Sequence, residues 1–150
     1  MKIVRYLDRK GELGFGQLKE EEIFRIRLKE EGGGFEPTED TADVAKLLTP
    51  VDFRGIYCVG LNYREHAAES GVEIPVHPVI FMKAPTAAQD PWSPIVLPRH
   101  LSSEKVDFEG ELAVVIGRPC KNVSRGDALD HVLGYSCAND ATARNWQKEK

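Results

Sequence analysis

Several features that mark particular protein classes are missing from this sequence of 150 residues. No run of Lys or Arg is dense enough to follow a phosphate backbone, and 24 acidic side chains outnumber 20 basic ones, for a net charge of −4. This balance argues against nucleic acid and against an anionic membrane surface as partners. No apolar stretch is long enough to cross a bilayer, and the N-terminus has no apolar signal core. We therefore expect a cytoplasmic protein.

Cysteine is also scarce. Cys58, Cys120 and Cys137 lie far apart, and none of them has the paired spacing of a zinc site. We interpret them as buried or half-buried thiols that act as small apolar residues. A nucleophilic cysteine is the alternative, but no neighbouring group is placed to activate one. Of the histidines, three have no matched partner and are interpreted as surface or structural residues: His77, His100 and His131.

Short apolar runs dominate the first fifty residues. KIVRYL and ELGFGQL predict two short strands, and residues 19–31 alternate apolar and charged side chains, as an exposed edge strand does. Residues 39–50 predict a short helix with Thr41 as its N-cap. This part of the chain is predicted to form a small N-terminal α+β domain, residues 1–52.

Residues 53–150 have a different sequence pattern and are predicted to form a second domain. RGIYCVG predicts a strand, and YREHAAESG predicts a helix that ends at Gly71. Further strands are predicted in PVIFMKAPTAA, SPIVLPRH, VDFEGELAVVIGRP and LDHVLGYSCAN, before a final segment that begins a helix. Many short strands with irregular links indicate an α+β fold that is mainly β.

A pair of carboxylates lies within the strand predicted for DFEGELAVV. Glu109 and Glu111 are two residues apart, so they project from the same face, where a cation would relieve their repulsion. A solvated strand face is the alternative for such a pair. Asp140 follows an apolar run at a strand-to-helix junction, where it is also an ordinary N-cap candidate. A site built only from carboxylates suits Mg²⁺ or Mn²⁺ better than zinc or copper.

A histidine and an acid share one face of the helix predicted for NYREHAAESG. His66 and Glu69 are three residues apart, so Glu69 is placed to orient the imidazole, as a general base requires. The alternative is a solvated helix face.

Four segments occur in the order GLNYREHAAESG, PVIFMKAPTA, VDFEGELAVVIGR and VLGYSCANDATARNWQ. Together they resemble the signature blocks of the fumarylacetoacetate hydrolase family, in particular bacterial two-domain members such as 2-hydroxyhepta-2,4-diene-1,7-dioate isomerases and acylpyruvate hydrolases. The resemblance covers about residues 56–147. It implies the front part of a mixed β-roll or barrel catalytic domain, because the family's domain continues beyond this sequence.

The resemblance also implies roles for individual residues. Glu109, Glu111 and Asp140 would bind the cation, while His66 and Glu69 would lie on a mobile lid and activate water. The residues that would bind substrate are Lys83, Arg144 and Gln147. One position departs from the family pattern, since Asn145 stands where an Asp is common.

The activity that the resemblance implies is hydrolytic cleavage of a carbon–carbon bond in a small 2-oxo acid of the acylpyruvate type, through a metal-stabilised enolate. Decarboxylation and keto–enol isomerisation on the same scaffold stay open, as does a non-catalytic truncated fragment. A role in aromatic catabolism is expected. The expected partners are the 2-oxo acid substrate and either a second copy of the chain in a homodimer or a complementing C-terminal segment.

Overall fold

The computed structural model describes residues 1–29 and 34–148. The chain forms two compact units, Met1–Pro94 and Ile95–Lys150. Strands predominate in the described residues, as the sequence predicts. The boundary predicted after residue 52 stays a prediction. No helix among the described residues has the length and apolarity to cross a bilayer.

The first unit contains a five-stranded antiparallel sheet with the order β4-β3-β2-β1-β5. Its strands are β1 (Lys2–Asp8), β2 (Leu13–Lys19), β3 (Glu22–Leu28), β4 (Phe35–Thr41) and β5 (Val44–Leu48). Tyr6, only 2% exposed, is paired with Gly14 across β1 and β2. A Cβ at Gly14 would lie 2.4 Å from Cζ of Tyr6, so the ring packs where only glycine leaves room. The two strands predicted for KIVRYL and ELGFGQL are thereby confirmed.

The turn between β1 and β2 is closed by the side chain of Asp8. Its Oδ1 accepts the backbone N–H groups of Lys10 and Glu12 at 2.9 and 2.8 Å. Gly11 has a φ of 82°, a conformation that glycine adopts without a steric cost. The N–H of Glu12 is the main cause of the lowered pKa of the Asp8 carboxyl.

Two predictions for this sheet are wrong. β3 lies between β2 and β4, so it is an interior strand and not an edge; residues 30 and 31 of that prediction lie outside the described residues. The helix predicted for residues 39–50 is replaced by the end of β4 and by β5. Leu47 pairs with Tyr6 on β1, and the gain from closing that sheet edge outweighs a weak helix propensity.

The first unit also carries an antiparallel pair of strands, β6 (Ile56–Gly60) and β7 (Val79–Lys83), as predicted. Helix α1 (Arg64–Glu69) lies between them in sequence and is anchored by Ala67, which is 1% exposed. Its C-terminus is closed by N–H groups of Gly71 and Val72, which donate to the carbonyls of Ala68 and Ala67. Gly71 has a φ of 63°, as this type of helix end requires, so the predicted stop is confirmed.

The second unit is built on β8 (Val106–Asp107), β9 (Gly110–Ile116), β10 (Val132–Asn139), β11 (Thr142–Ala143) and helix α2 (Arg144–Lys148). β9 pairs with β10 and β8 with β11, both antiparallel. SPIVLPRH forms no strand, because Pro94 and Pro98 lack the N–H donors that a strand ladder uses. The cysteine interpretation holds only for Cys58, which is half-buried, since Cys120 and Cys137 are exposed.

Candidate functional site

The three candidate metal ligands lie on one face of the β9–β10 ladder. The register pairs Glu111 with Ala138 and Gly110 with Asn139. One step further, the N–H of Asp140 donates to the carbonyl of Glu109 at 2.9 Å, so these two residues are also opposite each other. Glu109, Glu111 and Asp140 are all half-buried, whereas Gly110 is exposed. Because side chains alternate along a strand and opposite residues share a face, the backbone directs the three carboxylates to one side.

The side chains on this face do not enclose an ion by themselves. In the described part of the chain, no three His, Cys, Asp or Glu side chains are grouped closely enough to hold a metal. One reason is that Glu109 is engaged elsewhere, since its Oε1 accepts a hydrogen bond from Nη2 of Arg144. The backbone register therefore brings the three acids to one face of the ladder, while their side chains are not grouped around a common point.

The guanidinium of Arg144 is bound by three side chains. Nε and Nη2 each lie 3.0 Å from Oδ2 of Asp107, Nη2 also contacts Glu109, and Nη1 donates to Oε1 of Gln147 at 3.2 Å. The side chains of Arg144 and Glu109 are 23% and 20% exposed. The hydrogen bond to Glu109 is the main cause of the raised pKa of Arg144, and the contact with Asp107 adds to it. Arg144 and Gln147, predicted to share a helix face, are thus in direct contact.

Short strands hold the backbone of Arg144 in place. β11 pairs with β8, matching Thr142 with Asp107, and the N–H of Arg144 donates to the carbonyl of Lys105 at 2.8 Å. Asn145, which departs from the family pattern, accepts a hydrogen bond from Ser103 Oγ through its Oδ1 at 2.5 Å. An Asn therefore supplies the acceptor oxygen that an Asp would supply at this position.

Asp107 is a site residue that sequence reasoning missed. Asp107, Glu109 and Glu111 occupy every second position of the segment VDFEGE. That alternation is the signal in the sequence that identifies Asp107 as a third acid of the same segment. Its 49% exposed side chain provides the second carboxylate that binds Arg144.

The proposed acid–base pair and Lys83 belong to the first unit. His66 is half-buried on α1 and Glu69 is exposed. They share the helix, as predicted, but among the described residues no hydrogen bond or ion pair joins their side chains. Lys83 ends β7 opposite Ile56 and is half-buried. The roles predicted for these three residues stay predictions.

The donor set on the β9–β10 face nevertheless fits a hard divalent cation. Its potential ligands are carboxylate oxygens, which Mg²⁺ and Mn²⁺ prefer. A positive group, the Arg144 guanidinium, already lies against Glu109. The carboxylate of Glu109 thus already attracts a cationic group.

Comparisons with known proteins identify the family of this chain. Residues 55–150 match the C-terminal domain family of fumarylacetoacetate (FAA) hydrolase. Oxaloacetate tautomerase YisK of Bacillus subtilis (strain 168) is 46% identical over 107 residues, which make up 69% of this chain and 35% of that protein. The chain thus spans about a third of this relative.

Solved structures share the fold over almost the whole chain. The crystal structure of 2-hydroxyhepta-2,4-diene-1,7-dioate isomerase from Mycobacterium marinum has a TM-score of 0.79 and 36% identity, and covers 99% of this chain and 57% of that one. Fumarylacetoacetate hydrolase from psychrophilic Exiguobacterium antarcticum has a TM-score of 0.67 and 28% identity, covering 99% and 59%. The mainly β fold is therefore that of these enzymes, and the chain belongs to the fumarylacetoacetate hydrolase family.

Proposed function

We propose that this chain supplies the cation site and the carboxylate-binding residues of an enzyme that acts on small 2-oxo acids through an enolate. The observation that carries the proposal is the backbone register that puts Glu109, Glu111 and Asp140 on one face of β9–β10, where Glu109 also contacts Arg144. When bound, Mg²⁺ or Mn²⁺ would supply Lewis-acid stabilisation of the enolate's negative charge. For the reaction we propose hydrolytic cleavage of the carbon–carbon bond of an acylpyruvate, a reaction that suits a role in aromatic catabolism.

The residues beside the carboxylate face would position the acid. Arg144 carries a planar guanidinium with five N–H donors, which suits bidentate binding of a substrate carboxylate. Gln147, one helical turn away and already in contact with Arg144, offers an amide N–H₂ for a substrate oxygen. Lys83 would contribute a further positive charge. These groups would bind the small acid and fix which carbonyl faces the attacking water.

Hydrolysis also needs a base to activate that water. We assign this step to His66, which would accept a proton from water while Glu69 orients the ring and stabilises its protonated form. Both lie on α1, whose C-terminal end at Gly71 has the backbone freedom of a hinge. The water would then add to the distal carbonyl, and the bond to the enolate carbon would break.

Keto–enol tautomerisation is the second candidate function. It is favoured by the names of two similar proteins, an oxaloacetate tautomerase and a 2-hydroxyhepta-2,4-diene-1,7-dioate isomerase. The same enolate is its intermediate, and a proton moves between the carbon next to the carbonyl and the carbonyl oxygen, which needs a proton acceptor but no attacking water. The two functions therefore differ in whether a water is consumed and a carbon–carbon bond breaks, and they share their need for the carboxylate face.

A substrate panel with two variants separates the candidates. Acylpyruvates and oxaloacetate would be assayed with Mg²⁺ or Mn²⁺, using the wild type, Glu109→Gln and His66→Ala. Hydrolysis should be lost in Glu109→Gln and fall about a hundredfold or more in His66→Ala. Tautomerisation should be lost in Glu109→Gln and should leave the carbon skeleton of the substrate intact, whereas hydrolysis releases two products. No turnover of any substrate by the wild type, with or without an added C-terminal segment, would favour the non-catalytic fragment.

Cation binding is tested separately by thermal unfolding. A cation that binds only the folded state raises the melting temperature, so Mg²⁺ or Mn²⁺ should stabilise the wild type. Glu109→Gln keeps the shape of the side chain and removes its charge, and it should abolish the increase. A full metal-dependent shift in Glu109→Gln would show that the ligand assignment is wrong.

We further propose that the active protein contains a partner in addition to this chain. The chain corresponds to 57% of the Mycobacterium marinum isomerase, and β9 and β10 expose a row of apolar side chains on the face opposite the carboxylates. A complementing C-terminal segment or a second copy of the chain would cover that row. The molecular mass in solution, measured with and without such a segment, distinguishes a complex with the segment from a homodimer.

A further inference from the structure

Arg144 binds a carboxylate that the proposed cation site also needs. Its Nη2 contacts Oε1 of Glu109, and both side chains are more than three-quarters buried. An oxygen that accepts a guanidinium N–H has one lone-pair direction fewer for a metal, and a guanidinium next to a dication is repelled by it. The pair and the cation are therefore competitors for Glu109.

The other contacts of Arg144 would allow the guanidinium to leave Glu109 without unfolding the site. Asp107 receives both Nε and Nη2 at 3.0 Å and is not among the proposed cation ligands. The backbone N–H of Arg144 is fixed to the carbonyl of Lys105 at 2.8 Å. The side chain can thus rotate about a fixed backbone while Asp107 keeps the guanidinium close to the site.

We infer that Arg144 is the internal counter-ion of the cation-free site, and that binding of a divalent cation to Glu109 displaces its guanidinium and frees it for a substrate carboxylate. The inference rests on the proposed function, because it assumes that Glu109 is a cation ligand. It makes Arg144 a positioning residue that acts on the cation as well as on the acid. The cation would bind first, and the acid would bind to the guanidinium that the cation has released.

The test measures Mn²⁺ affinity by calorimetry on the whole chain, without any turnover. Arg144→Gln removes the competing charge and should bind Mn²⁺ about three- to tenfold more tightly, the size expected for loss of one partly exposed ion pair. Arg144→Lys keeps the charge but loses the planar fork, so its affinity for Mn²⁺ should lie between those of the wild type and Arg144→Gln. The matched control is Lys105→Gln, which removes a neighbouring positive charge outside the pair and should change the affinity less than about twofold in 0.15 M salt.

A second readout follows the guanidinium itself. In the wild type, the Nε–H resonance of Arg144, assigned by its absence from Arg144→Gln, should shift during a Mg²⁺ titration with the same midpoint as cation binding. If this resonance does not move while Mg²⁺ binds, the inference is overturned.

The affinity results separate the inference from the proposed function. Equal or weaker Mn²⁺ binding in Arg144→Gln, or an equal gain in Lys105→Gln, overturns the inference, and the cation site still stands if Glu109→Gln loses binding. Absence of Mn²⁺ binding in the wild type and in Arg144→Gln overturns both. Tight binding in Arg144→Gln together with undetectable binding in the wild type supports the inference most strongly.

Discussion

The apolar face of the β9–β10 ladder should make the isolated chain self-associate. Leu112, Val114 and Ile116 are 60%, 47% and 58% exposed, and Tyr135, opposite Val114, is 59% exposed. Full burial of such a side chain stabilises by about 1.5–3 kcal/mol, so covering the exposed half contributes about 1 kcal/mol each. Four side chains give about 4 kcal/mol, or roughly a thousandfold in the association constant.

Val114→Lys tests this estimate at the centre of the face. In the monomer the new side chain points to solvent, so the free energy of unfolding should change by less than about 1 kcal/mol. In an associated form its charge would have to be buried, so association should weaken by about a hundredfold or more. Sedimentation velocity over a range of concentrations measures the change directly.

The control for that experiment places the same charge on another exposed apolar residue. Leu129 is 70% exposed and lies in the short 3₁₀ turn Ala128–His131, outside the paired residues of β9 and β10. Leu129→Lys should leave association unchanged. A wild type that stays monomeric at every concentration, or an equal effect of Leu129→Lys, would refute the reasoning.

Two further predictions concern the first unit. Gly14→Ala should lower the free energy of unfolding by about 1–3 kcal/mol in a denaturant titration, because its Cβ would meet the ring of Tyr6 at 2.4 Å. The control is Gly134→Ala, whose Cβ would have no neighbouring atom within 4 Å and which should have a much smaller effect. Hydrogen bonds from Lys46 and, to a smaller extent, from the N–H of Thr49 lower the pKa of Asp90. The ionised carboxylate therefore stabilises the folded state at pH values above its unfolded-state pKa near 4. This stabilisation is lost as the pH falls through the folded-state pKa. The wild type should therefore be more stable than Asp90→Asn by about 0.5 kcal/mol at pH 7, and the two should converge in denaturant titrations below about pH 4. A difference that persists unchanged at pH 3 would contradict this assignment.

Local patterns predicted the strands whose alternation is complete within the segment. β1, β2, β6, β7, β9 and β10 were all expected, as was the end of α1 at Gly71. The helix predicted for residues 39–50 failed because β5 is stabilised by pairing with β1, a contact more than thirty residues away in sequence. A window of twelve residues contains no information about that partner, and long-range pairing overrides intrinsic propensity.

The candidate site shows the same division between local and distant information. Alternation in VDFEGE correctly placed Glu109 and Glu111 on one face, and the helical spacing correctly placed Arg144 beside Gln147. The pairing of Arg144 with Asp107 and Glu109 was not predictable, because it depends on β11 meeting β8. Sequence spacing gives the direction in which a side chain points, whereas its partner is decided by which strands meet.

The two faces of the β9–β10 ladder are not energetically independent. A two-stranded ladder is marginally stable alone, and in this one the acids occupy one face while the other face exposes apolar side chains. A segment that covers Leu112 and Tyr135 would stabilise the ladder and so hold Glu111 and Asp140 in register. A cation held by carboxylates of both strands would likewise stabilise the strands to which that segment binds. Since coupling between two binding events is reciprocal, the covering segment and the cation should strengthen each other's binding.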